Sequence, residues 1–112
     1  MPQAVRINRT GQVVVTDRKV TVRKRLNEDV LWIATQGGGP WTITFDKDPE
    51  GSGTYPKEPG SPFSETTYTV GPGASGGSTG GPVKGTERRT YSYNVRNAAG
   101  TVTDDPDIDI DP

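Results

Sequence analysis

The chain has 112 residues, 29% of them hydrophobic, with 15 Gly and 10 Pro, which is enough for one packed core and too little for two. Thirteen basic and 14 acidic residues leave a net charge of -1, so there is no electrostatic basis for binding nucleic acid or a membrane surface. Neither Cys nor His occurs, which excludes disulfides, thiolate and imidazole metal sites, and Cys- or His-based catalysis.

Charge is unevenly placed. Residues 1 to 25 carry Arg6, Arg9, Arg18, Lys19, Arg23, Lys24 and Arg25 against Asp17, whereas residues 101 to 112 carry five Asp and no base. The two ends are electrically complementary. The start, "MPQAVRINRTGQ", lacks the apolar run of a signal peptide, and no apolar stretch approaches the ~20 residues of a membrane span. The expectation is a soluble, cytoplasmic chain, with an exported mature fragment as the alternative.

In chain order, the apolar residues recur with a period of two, the mark of half-buried strands. "QVVVTD" puts Val13 and Val15 on one face, and "KVTVRKRL" puts Val20 and Val22 opposite Lys19, Thr21 and Arg23. "NED" at 27 to 29 predicts a turn. "VLWIA" is apolar on both faces, as a central strand requires. "WTITF" alternates, with Trp41, Ile43 and Phe45 on one side. Residues 46 to 62 hold four Pro and three Gly and are expected to form a long irregular connection. "TTYTV" predicts a strand with Tyr68 and Val70 on one side. Residues 71 to 86 open with "GPGASGGSTGGPVKG", seven Gly and two Pro, and predict a second long loop. "RTYSYNV" restores alternation through Tyr91, Tyr93 and Val95, "RNAAG" turns the chain, and "DPDIDIDP" ends it with Ile108 and Ile110 inward and its Asp side chains toward water. Seven to eight strands without a helical pattern predict a single all-β domain over residues 1 to 112, a Greek-key β-sandwich.

The run "VLWIATQGGGPWTITFDKDP", followed by "SPF", "TYTVGPG" and "TYSYNVRNAAG", resembles the cupredoxins, the plastocyanin-like blue-copper proteins. The likeness spans residues 20 to 110 and rests on pattern rather than on a rare motif; an immunoglobulin-like sandwich is the alternative. By this resemblance Trp41 stands where the first ligand His would follow Pro40, Val95 where the ligand Cys would end its strand, and Ala98 and Thr101 near the remaining His and Met. A blue-copper site needs thiolate and imidazole donors, so copper electron transfer is not expected, and no cofactor is.

Other patterns fall short of sites. "GPGASG" satisfies G-x-G-x-x-G after a predicted strand, but "GSTGGP" cannot supply the helix that a dinucleotide needs. "GGPVKGT" lacks the Gly-Lys-Ser/Thr order of a phosphate loop. Asp105, Asp107 and Asp109 alternate, yet an EF-hand would need Gly sixth, where Ile110 stands. Asp46, Asp48 and Glu50 are read as turn acids, since nothing in the sequence sets two carboxylates across a cleft.

The sequence therefore predicts a non-enzymatic, metal-free module for protein interaction or assembly, whose partner is another protein or a second copy of itself. The alternative is a small carbohydrate-binding module using Trp41 with Tyr55 or Tyr68 as exposed platforms. Trp41 has two readings: a core or rim residue that seals one end of the sandwich, or a surface for a ligand, flanked by the small residues Gly37 to Gly39.

Overall fold

The computed structural model describes residues 3–7, 19–34, 38–46, 55–73, 76–84 and 86–112. Ten strands follow in order: β1 (Gln3–Ile7), β2 (Lys19–Arg23), β3 (Val30–Ala34), β4 (Trp41–Thr44), β5 (Thr67–Val70), β6 (Gly76–Ser78), β7 (Arg89–Ser92), β8 (Asn94–Arg96), β9 (Val102–Asp104) and β10 (Asp107–Asp111). A 3-10 turn at Lys24–Leu26 ends on Asn27 in the left-handed region, at φ 52°, as Asn tolerates. Among the described residues no helix is long and apolar enough to cross a membrane.

The strands form three sheets, ordered β1-β3-β6, β2-β10-β7 and β5-β4-β8-β9. β1 runs parallel to β3 and β10 parallel to β2. Alternation aims one face of each sheet at a shared core. Val30, Trp32 and Ala34 come from β3, and Val22, Ile108, Ile110 and Tyr91 from the β2-β10-β7 sheet. Trp41, Ile43, Tyr68, Val70 and Val95 come from the third sheet. Trp32 is the aromatic centre. Its ring lies 5.5 Å from Tyr68, 5.6 Å from Tyr93 and 6.3 Å from Phe45, and its Nε1–H donates to the Tyr93 hydroxyl at 3.2 Å. Rings of this kind each contribute about 1.5–3 kcal/mol through burial.

The central position of "VLWIA", the strands "KVTVR", "WTIT" and "TYTV", and the turn at 27 to 29 match the sequence pattern. The strand expected at "QVVVTD" lies outside the described residues, as do residues 47 to 54 of the first long connection. Further along, Lys57 bridges Thr90 in parallel, so this connection adds a rung beside β7.

Four features differ from expectation. β1 and β9 are additional strands. The segment 71–86 is not loop throughout, because β6 pairs antiparallel with β3. Gly76 and Gly77 have no side chains to alternate, and their bareness is what lets β6 in. A Cβ would lie 2.9 Å from the Trp32 carbonyl oxygen at Gly76 and 2.9 Å from that of Thr69 at Gly77. "RTYSYNV" is not one strand but two, since the chain leaves the β2-β10-β7 sheet after Ser92 and joins the third sheet at Asn94. Tyr91, Tyr93 and Val95 keep facing the core across that switch.

The fourth correction concerns the Asp row. β10 lies between β2 and β7, so the acidic tail meets the basic strand within one molecule, the placement that the resemblance implies for the last strand; what differs is the exposure of the Asp side chains. Asp109 does not face water: it is 2% exposed, accepts from the Thr90 hydroxyl at 2.5 Å, and pairs with Lys19 at 3.3 Å. Lys57 reaches Asp107 at 3.1 Å and Ser92 at 3.2 Å. Arg25 and Arg88 meet Asp111 at 3.5 and 3.4 Å. Alternation correctly turned these carboxylates away from the core, but cross-strand donors and the 55–58 segment cover that outer face.

Candidate functional site

One end of the third sheet is built from residues with little or no side chain. Gly38, Gly39 and Pro40 lead into β4. Gly39 has φ +91°, and a Cβ there would lie 2.9 Å from the Trp41 nitrogen and 3.0 Å from the Val70 oxygen, so glycine alone fits. The Gly73 N–H donates to the Gly38 oxygen at 3.0 Å, which ties the chain after β5 to this arm.

Facing the arm is the turn between β8 and β9. Asn97 Oδ1 accepts from the N–H groups of Ala99 and Thr101, both at 3.0 Å, the local geometry for which Asn is favoured in turns. The Gly100 N–H closes the turn on the Asn97 oxygen at 2.9 Å. The last β4–β8 rung is Thr42–Arg96, so Trp41, before Thr42, and Asn97, after Arg96, lie at the same end of the strand pair. Between the two arms lies a pocket of about 340 Å³ lined by Gly38, Gly39, Trp41, Asn97, Ala98 and Ala99.

Among the described residues no lining side chain is charged. Around the mouth Pro40, Pro72, Gly73, Ala98, Ala99, Gly100 and Thr101 are exposed, giving an uncharged surface on a chain in which 24% of residues are charged. Arg96, next in sequence, is held by Asp46 at 3.2 Å. Slight burial of the Asp46 carboxyl opposes ionisation, but the Asn94 and Arg96 donors outweigh it and hold its pKa below the ordinary value.

The two tryptophans differ at their polar atom. Trp32 Nε1–H is bonded to Tyr93, whereas Trp41, only 6% exposed, has a buried Nε1 with no acceptor among the described residues. Such an unpaired buried donor costs about 1–3 kcal/mol and calls for an explanation.

A larger cleft, of about 660 Å³, lies among Glu58, Val83, Lys84, Glu87, Arg89 and Tyr91. Much of its charge is paired internally: Arg89 meets Glu87, and the Tyr91 hydroxyl donates to Glu58. Burial, then the Glu58 carboxylate, push the Tyr91 pKa far above the usual phenol range.

The structure brings Trp41 and Ala98 together in the small pocket, with Thr101 closing the adjoining turn. Val95 is fully buried one strand over, in register with Ile43. Tyr68 is buried against Trp32, its hydroxyl accepting from the Glu65 N–H at 3.2 Å, and its pKa is raised chiefly by burial. Tyr55 lies elsewhere, its N–H directed at Thr90 at 3.4 Å. Trp41, Tyr55 and Tyr68 thus share no exposed face. Indole, isopropyl, methyl and hydroxyl groups at Trp41, Val95, Ala98 and Thr101 do not fit copper, which requires thiolate and imidazole. The sequence reading missed Asn97, although an Asn before "AAG" was a legible turn signal.

No family model, curated protein or solved structure matches this chain.

Proposed function

We propose that the protein is a non-catalytic, metal-free, cupredoxin-like β-sandwich that docks on another protein through the uncharged end around Trp41. The observation that carries this reading is the contrast in charge. The outer face of the β2-β10-β7 sheet is filled with ion pairs, while the loop end presents Gly, Pro, Ala and Thr. Protein interfaces are depleted of charge at their centres, and small side chains lose little rotamer freedom on docking. The coming together of Trp41 and Ala98, two of the positions that the resemblance assigns to lost ligands, supports the cupredoxin-like, Greek-key reading. The burial of Trp41 and Tyr68 favours a protein partner over a stacked sugar ring.

A paired substitution tests it. Ala98→Glu with Ala99→Glu adds two charges on an exposed turn and is expected to leave folding intact. Solution mass by light scattering at low and high salt, with quantitative capture of partners by wild-type and variant protein, reads the outcome. Loss in the variant of an association shown by the wild type supports docking at this end; an association the variant retains overturns it. If the associating species is a second copy, it is expected to be insensitive to salt, because the basic and acidic segments already pair within one chain.

A further inference from the structure

Resting on that docking reading, we propose that the Trp41 pocket is a binding site for a neutral amide carbonyl, presented by a Gly-, Ala- or Pro-rich stretch of the partner chain.

Two donors make the site. Trp41 Nε1–H lacks an acceptor among the described residues. A Cβ at Gly39 would come within 3.0 Å of Trp41 Cδ1, the carbon bonded to Nε1, so the edge carrying the N–H lies on the side of the glycine arm that lines the pocket. The second donor is Asn97. Its Oδ1 is occupied by two backbone N–H groups, which fixes the orientation of the amide. The remaining group is therefore NH₂, and among the described residues no hydrogen bond engages it. Trp41 and Asn97 lie just beyond the last β4–β8 rung, Thr42–Arg96, and both line the one pocket.

What they call for is an acceptor. The lining holds no charged side chain, and burying a carboxylate without a counter-charge is costly, which selects a neutral carbonyl. The volume of about 340 Å³ is at the low end for ligand pockets and suits small residues. The arm over the indole edge is Gly38–Gly39; because Nε1 is buried beneath it, the arm has to shift for an incoming carbonyl to reach the N–H, and it carries no side chain to move with it.

The test uses the full chain, labelled with 15N, and the capped tripeptide acetyl-Gly-Pro-Ala-amide. Titration is expected to move the indole resonance of Trp41 progressively while that of Trp32, already bonded to Tyr93, stays in place. Asn97→Asp retains an oxygen for the turn but removes the NH₂ donor, and should weaken the probe about fivefold. Trp41→Phe assigns the resonance and should weaken binding, followed through backbone resonances, by a similar factor. A Trp41 resonance that remains still up to the solubility limit of the tripeptide overturns the proposal, as does undiminished affinity in Asn97→Asp. Acetate moving the resonance as effectively as the tripeptide also overturns it, in favour of an anion site. The two readings fail separately. A still indole, with association abolished by the paired Glu substitutions, leaves docking standing without the pocket. A moving indole, with association unchanged by them, leaves an amide site without docking there.

Discussion

The outer face of the β2-β10-β7 sheet and the loop end around Trp41 solve opposite problems with polar groups. On the sheet face, Asp107, Asp109 and Asp111 each meet cross-strand donors, so a row that reads as solvated is closed in on itself. At the loop end the indole of Trp41 has no acceptor among the described residues, and the described residues lining its pocket are uncharged. The first arrangement is what a structural face requires; the second is what the docking proposal rests on.

Breaking the closed side should have the largest effect. Asp109→Ala leaves the fully buried Thr90 hydroxyl and Lys19 without their carboxylate and is expected to cost about 3 kcal/mol in denaturant unfolding. A loss below about 1 kcal/mol would mean that the face is solvated after all. Next comes Gly77→Ala, whose methyl would strike the Thr69 carbonyl at 2.9 Å. The expected loss is about 1–3 kcal/mol, read in the same experiment, because β6, paired with β3, packs this closely against β5 only where no side chain intervenes.

A smaller effect is expected at Tyr91, where burial and Glu58 favour the neutral phenol. The folded state holds its proton above the ordinary value of 10.0, so its contribution is complete below about pH 10 and is lost as pH rises beyond that. Tyr91→Phe should cost about 1 kcal/mol at neutral pH and flatten the alkaline decline in melting temperature. The smallest effect belongs to Trp41→Phe. Lost ring area is offset by removal of an unpaired donor, and the change should stay within about 1 kcal/mol. Trp32→Phe, which removes the indole donor to the Tyr93 hydroxyl, should cost more by the same measurement.

Much of the fold was legible because alternation survives at Val20 and Val22, at Ile43 and Phe45, and at Ile108 and Ile110. It failed where the sequence carries no alternation to read, as in Gly76–Ser78, or where one alternating run serves two sheets, as in "RTYSYNV". Period-two reasoning also assigns a side chain to a face without saying what covers that face, and this is why Asp109 was read as solvated. For the site, Trp41 stood out as a bulky residue among glycines, and the resemblance paired it with Ala98. Asn97 and the unpaired indole nitrogen emerge only when β4 and β8 are set in register, because no single segment contains both donors.

The most direct test compares photo-crosslinking from two positions in a native extract, with the probe residue replacing Ala98 at the loop end or Thr21 on the outer face of β2. Specific adducts from position 98 and none from position 21 are the predicted result. Adducts from position 21, or from neither position, would contradict the assignment of recognition to the Trp41 end.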